Sequence, residues 1–219
     1  MISMDFAAAR TNMVEAQLRT NKVTDEGVLD AMRTLPREDF VPAQSRHLAY
    51  IDEDVALGNN RFLMEPMIVA RLVQAAQLQE GDSVLVVGAG YMAAVAGKIS
   101  TSVFAIEEDK DLSASTSKTL TDLAMDHVVV LDGDLTKGCA DQGPYTVILF
   151  DGSIEEVPAA IADQLVEGGR MAAVISKDDG KTGDARIFVK NAGHLSYRSL
   201  FDANIQPLPG FAKEKGFVF

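Results

Sequence analysis

Cysteine is almost missing from this chain. Cys139 is the only one in 219 residues, so no disulfide can form within the chain, and a reducing cytoplasm is its simplest home. As a nucleophile Cys139 is a poor candidate, because Lys137-Gly138-Cys139-Ala140-Asp141 reads as loop. Histidine is scarce as well. His47, His127 and His194 are scattered, and no pair has metal-ligand spacing, which argues against a metal site. Basic residues are outnumbered, 20 Lys and Arg against 32 Asp and Glu. The resulting net charge of −12 argues against a nucleic-acid partner and otherwise fits a soluble surface. No apolar run is long enough to span a bilayer, and no signal peptide, repeat or low-complexity tract is visible.

What the chain does have is a core's worth of apolar residues, 47% of the sequence. They are organised around one stretch. Val84-Leu85-Val86-Val87 is an apolar run of strand length, and it meets Gly88-Ala89-Gly90. A small-residue helix follows from Tyr91 to Ile99, then a second apolar run, Ser102–Ile106, which ends at Glu107. Glycine lets the backbone turn tightly and approach a ligand, and the following helix offers unpaired N–H groups and a positive dipole end. Glu107, 19 positions after Gly88, falls at the next strand tip, where ribose hydroxyls bind in doubly wound nucleotide folds.

From Ser83 onward, strand-like runs (Ser83–Val87, Ser102–Ile106, Val128–Leu131, Thr146–Phe150, Met171–Ile175) alternate with helices (Tyr91–Ile99, Lys110–Leu123, Val157–Leu165). Continuous apolar runs of this kind mark a parallel sheet covered on both faces. The tail adds strands at Ile187–Lys190, Tyr197–Phe201 and Phe217–Phe219, with Asp178–Gly183 as a polar loop. The first eighty residues read as helical. One face carries Phe6, Ala9, Met13 and Ala16, a second helix spans Asp25 to Thr34, and a short one spans Ser45 to Tyr50. Asp52–Asp54 reads as a surface loop, Leu57–Pro66 as irregular, and Pro66 as the first turn of a helix. The reading is therefore α/β: a Rossmann-like, doubly wound, mostly parallel sheet over 81–219 with a C-terminal β extension, and a helical N-terminal cap over 1–80.

At this point the chain resembles a family, the protein-L-isoaspartate O-methyltransferases. The resemblance rests on Met13-Val14-Glu15-Ala16-Gln17-Leu18, Val28-Leu29-Asp30-Ala31-Met32, Pro36-Arg37-Glu38-Asp39-Phe40-Val41-Pro42 and Ala49-Tyr50. It continues through Pro66 with Met67–Arg71, Gly133-Asp134, Pro144-Tyr145 to Phe150, Val157-Pro158 and Glu167-Gly168-Gly169. It implies a class I methyltransferase fold and S-adenosylmethionine as cofactor. The implied partners are isoaspartyl-containing proteins or peptides, whose carboxylate is methylated so that the ester can collapse to a succinimide and return toward aspartate. By position, Gly88 and Gly90 would face the cofactor's methionine part, Glu107 would accept from the ribose hydroxyls, and Asp134 would sit beside the adenine. Hydrogen bonds to a charged group are worth roughly 1.5–3 kcal/mol each, which makes Glu107 the strongest implied anchor.

The departures from the family fall on the chemistry. The glycine-rich GxGxGY loop is short by two residues here, since Gly90 runs straight into Tyr91. Two residues span up to ~7 Å, so the helix start should be drawn toward the cofactor cleft. The acidic residue expected two positions before the first glycine is Val86, and the hydroxyl positions before Pro66 are Phe62 and Met64. Arg61, in the same segment, suits bidentate grip of a carboxylate or a solvated loop. Asp151-Gly152-Ser153 follows the fourth strand, and the carboxylate of Asp151 would repel a carboxylate substrate.

Three readings follow. One is a working methyltransferase, with Arg61 and the Met64 position at the reaction centre. The second is a catalytically inactive binding or scaffold protein, alone or as a homodimer, with its cleft plugged by Tyr91, Met92 or Phe62. The third is a dinucleotide site, since Gly88–Ala93 satisfies GxGxxA. Arg37 and Asp39 read as a substrate rim or, more simply, as a helix-end salt bridge.

Overall fold

The computed structural model describes residues 4–177 and 182–212. The expected strand at Phe217–Phe219 and most of the loop at Asp178–Gly183 lie outside them. Helix α1 (Phe6–Asn12) starts at the cap Asp5 and runs on into a wider π-helical stretch, Met13–Leu18. That widening turns the buried face, so Val14 and Leu18 join Met13 in the core while Ala16 stays exposed. Helix α2 (Glu26–Thr34) is capped by Asp25, which accepts from the Val28 N–H. A 3₁₀ turn at Ala43–Leu48 replaces the expected short helix.

The segment expected to be irregular is a hairpin, β1 (Val55–Gly58) paired antiparallel with β2 (Arg61–Leu63). Asn59 and Asn60 both take left-handed φ, +47° and +57°, the turn that matches the twist of a hairpin. Helix α3 (Pro66–Ala76) follows, with proline in its first turn.

The remaining elements are β3 (Ser83–Val87), α4 (Tyr91–Ile99), β4 (Ser102–Glu107), α5 (Lys110–Asp122), β5 (Val128–Asp132) and β6 (Tyr145–Ile154). They are followed by α6 (Ala159–Ala162), β7 (Leu165–Ser176), β8 (Gly183–Asn191) and β9 (His194–Ala203). The sheet order is β5-β4-β3-β6-β7-β8-β9. The first five strands in this order are parallel, as the alternation predicts, and the last two run antiparallel. Side chains of β3 alternate between two cores. Val84 and Val86 join the N-terminal helices, α3 and α4, while Leu85 and Val87 join Tyr145, Phe150 and Phe211 on the other face.

Two expectations need correcting. Helix α6 is one turn, not the nine residues Val157–Leu165, because Leu165 already belongs to β7. Strand β6 continues through Asp151-Gly152-Ser153, which was expected after it. A break in register between Leu149 and Ser153 and a Gly152 φ of +154° carry the strand past its expected end. Strand order reverses at β3, between β4 and β6. The carboxyl ends of these strands thus form the crevice where doubly wound sheets bind ligands.

Candidate functional site

Four chain segments converge on that crevice. The Gly88 turn leaves β3, Glu107 ends β4, Asp151 lies on β6, and the β1–β2 hairpin crosses above them. Glu107 is fully buried and its carboxylate is saturated. Arg61 Nε donates to Oε1 at 3.3 Å and Oε2 at 3.2 Å, and Arg61 Nη2 donates to Oε2 at 2.9 Å. The Ala89 N–H adds 3.0 Å to Oε2, while the Glu108 and Asp109 N–H groups reach Oε1 at 3.0 and 3.1 Å. Arg61 itself is 3% exposed. Of the two sequence options for Arg61, the grip on a carboxylate is the one seen, but the carboxylate is the chain's own.

The hairpin is tied at its tip as well. Asn59 Nδ2 donates at 2.7 Å to Asp109, the residue that caps α5. Gly88, at φ +98°, lies flat against this arrangement. A Cβ there would stand 2.7 Å from Arg61 Nη2 and 3.2 Å from Asp151 Cβ. A Cβ on Gly90 would meet Asp151 Oδ2 at 3.3 Å. The two glycines therefore face Arg61 and Asp151. Helix α4 begins at Tyr91 directly behind them, with its first six residues buried.

Leu208 closes the crevice from the C-terminal side, over Gly88 and Gly152. It is held by Leu208 N–H to Ser153 O (2.8 Å) and Ser153 N–H to Gln206 O (3.0 Å). Asp54, expected in a surface loop, accepts from Gln206 N–H and Glu65 N–H, each at 2.9 Å, and so binds this segment to the residues after β2.

Arg37 is neither substrate rim nor helix-end salt bridge. It is completely buried, donates from Nε to Ala49 O at 2.6 Å and from Nη2 to Met64 O, and stacks 5.0 Å from the Tyr91 ring. Burial lowers its pKa. Met64, at the position of the family hydroxyl, is 1% exposed and its carbonyl anchors Arg37. Asp134 follows the tip of β5, one residue after Gly133, whose N–H donates to Glu107 O at 2.9 Å. It caps a 3₁₀ turn by accepting from Thr136 N–H at 2.9 Å, pairs with Lys137 at 3.2 Å, and its side chain is 43% exposed. The hydrogen bond from Thr136 lowers its pKa. Sequence reasoning missed Asp54 and the burial of Arg37; the Asn59-Asn60 pair was the one available signal for the hairpin.

Asp151 is the electrostatic oddity. Burial pushes its pKa up to about 7 against the pull of Arg61 and Arg37, with Glu107 and Asp54 adding to the rise, and its Oδ1 has no hydrogen-bond partner among the described residues. Glu65 is raised to about 7 as well, by burial and by Asp52 and Asp54. A carboxyl raised on folding binds its proton more tightly in the native state. Its stabilisation is complete below the unfolded pKa of about 4 and is lost as pH climbs through the folded value. The urea midpoint should therefore fall between pH 5 and pH 8. Asp151→Asn should flatten most of that fall and Glu65→Gln part of it; a midpoint rising over this range in the wild type would contradict the assignment.

S-adenosylmethionine does not fit the site as it stands. Glu107, which the resemblance implies as ribose anchor, has both oxygens engaged, its Arg61 partner occupies the space beside Gly88, and neither residue is open to solvent.

Comparison with known proteins gives a consistent result. The family model described as Protein-L-isoaspartate(D-aspartate) O-methyltransferase matches residues 9–208. A protein-L-isoaspartate O-methyltransferase of Koribacter versatilis (strain Ellin345) is 38% identical over 207 residues, covering 94% of this chain and 92% of that protein. The corresponding protein of Roseiflexus castenholzii (strain DSM 13941 / HLO8) is 35% identical over 210 residues, 94% of each chain. Among solved structures, a putative protein-L-isoaspartate O-methyltransferase from Plasmodium falciparum in complex with S-adenosyl-L-homocysteine superposes with a TM-score of 0.77 at 19% identity, covering 94% of this chain and 99% of that one.

Proposed function

The chain belongs to the protein-L-isoaspartate O-methyltransferase family, and from that premise we propose that its function is the family's, methyl transfer from S-adenosylmethionine to the carboxylate of an isoaspartyl residue in damaged protein. The observation that carries this reading is the family match over residues 9–208, which includes the crevice with Glu107 at the tip of β4 beside the Gly88 turn. Glu107 is the ribose anchor in this reading, and Gly88 and Gly90 are the close-approach positions. The acceptors are isoaspartyl-containing proteins, and the single cysteine favours a cytoplasmic setting.

One observation favours a second reading. The Arg61–Glu107 pair fills the anchor from within, as expected of a relative that has kept the fold, given up transfer, and binds other proteins. A label-transfer assay separates the two. Radiolabelled S-adenosylmethionine is incubated with an L-isoaspartyl peptide and with its aspartyl twin. Label entering the isoaspartyl peptide alone is the expected result. No transfer by the wild type or by an Arg61→Met variant would overturn the enzymatic reading and leave the second.

A further inference from the structure

The β1–β2 hairpin does more at this site than cover it. We infer that it is an intramolecular latch: Arg61 occupies on Glu107 the position of the cofactor's ribose, so that hairpin docking and cofactor binding exclude each other. The inference rests on the proposed cofactor class and goes beyond it by assigning control of access to residues of the chain itself.

Three observations carry it. First, the hydrogen bonds of the Arg61 guanidinium among the described residues all go to Glu107, 46 positions away, and none to its own hairpin, which it joins through its backbone alone. A guanidinium placed only to stabilise β2 would find partners nearby. Second, Glu107 keeps three backbone N–H donors of its own, from Ala89, Glu108 and Asp109, so its carboxylate remains oriented at the strand tip when Arg61 leaves. The anchor is preformed and Arg61 is the removable part. Third, the base of the hairpin is packed into the core at Val55 and Leu63, while the polar ties of its tip are Arg61 to Glu107 and Asn59 to Asp109, and β1 and β2 form a separate two-stranded sheet rather than part of the seven-stranded one. The tip can lift from Glu107 with the base still packed and without breaking a ladder of the main sheet.

The thermodynamic consequence is direct. If the undocked form is a fraction f of the population, apparent affinity for the cofactor falls by that fraction, and any change that weakens docking restores it. A purely structural ion pair behaves otherwise, since its removal lowers stability without improving ligand binding.

The test is calorimetric titration of S-adenosylhomocysteine into three proteins, with circular dichroism to verify folding. Arg61→Met removes the guanidinium and keeps most of its volume. Asn59→Ala cuts the tip contact and leaves both Arg61 and Glu107 in place, so it reports on the latch even where Arg61→Met folds poorly. The expected result is a gain in affinity of ten- to a hundredfold for Arg61→Met and a smaller gain for Asn59→Ala. Equal affinity in all three proteins would overturn the latch and leave the family reading standing. Weaker binding by Arg61→Met would also overturn it, by making Arg61 a ligand contact. No binding by any of the folded proteins at millimolar ligand would overturn the latch and the cofactor reading together.

Discussion

Replacing Glu107 by alanine should cost about 3–5 kcal/mol of folding stability, the range for breaking a buried pair from one side. The loss has identifiable parts. Arg61 is left as a buried cation without a hydrogen-bond partner, and the N–H groups of Ala89, Glu108 and Asp109 lose their acceptor. The reverse deletion is not equivalent. In Arg61→Met the carboxylate keeps those three donors, so the cost should be clearly smaller. Replacing both partners, with Arg61→Met and Glu107→Leu together, should recover part of the Glu107→Ala loss, because a well-packed apolar pair avoids the desolvation of two charges. Urea unfolding of the four proteins measures this. An Arg61→Met variant less stable than Glu107→Ala would show that the guanidinium, and not the carboxylate, is the organising group.

Arg37→Ala should be comparably damaging, with a loss of about 3 kcal/mol or more. The substitution leaves Ala49 O and Met64 O without donors inside the core and opens a void against the Tyr91 ring. An unsatisfied buried polar group costs ~1–3 kcal/mol, and cavity formation adds to it. Lysine should rescue little, since one ammonium on a flexible stem cannot reproduce the planar fork that spans both carbonyls. Denaturation curves for Arg37→Ala and Arg37→Lys check both statements. A change below about 0.5 kcal/mol, the range of ordinary surface substitutions, would mean that Arg37 is not structurally required.

Much of this architecture is legible in the residues because parallel strands announce themselves. Ser83–Val87 and Tyr91–Ile99 have the bounds that their apolar patterns predict, since both are buried over their length and the glycine turn between them marks where one ends and the other starts. Helix α4 starts directly after the glycine turn, where a Cβ on Gly90 would meet Asp151 Oδ2 at 3.3 Å. The hairpin was less legible because β1 and β2 are too short to show a period. Arg61 was recognisable as a carboxylate-binding group, but its partner lies in another strand and only the fold brings them together. Arg37 was the hardest case. A cation beside two acidic residues after a proline reads as surface, and its burial follows from Ala49, Met64 and Tyr91 packing around it from three separate parts of the chain. Asp151 was legible as an intruding charge. Its raised pKa was not, because that arises from burial in a strand whose irregular register extends it beyond the sequence signal.

The contact between Asp54 and the Gln206 N–H joins residues 152 positions apart. On a ribosome that separation is a delay. Synthesis proceeds at about 5–20 residues per second, so the Gly88 turn and the β4 tip exist for many seconds before residues 205–208 emerge to cover them. Through that interval Gly88 has no Leu208 above it, and the hairpin flank lacks its C-terminal tie. The crevice is thus roofed by a segment made only after strands β1 to β9 of the fold.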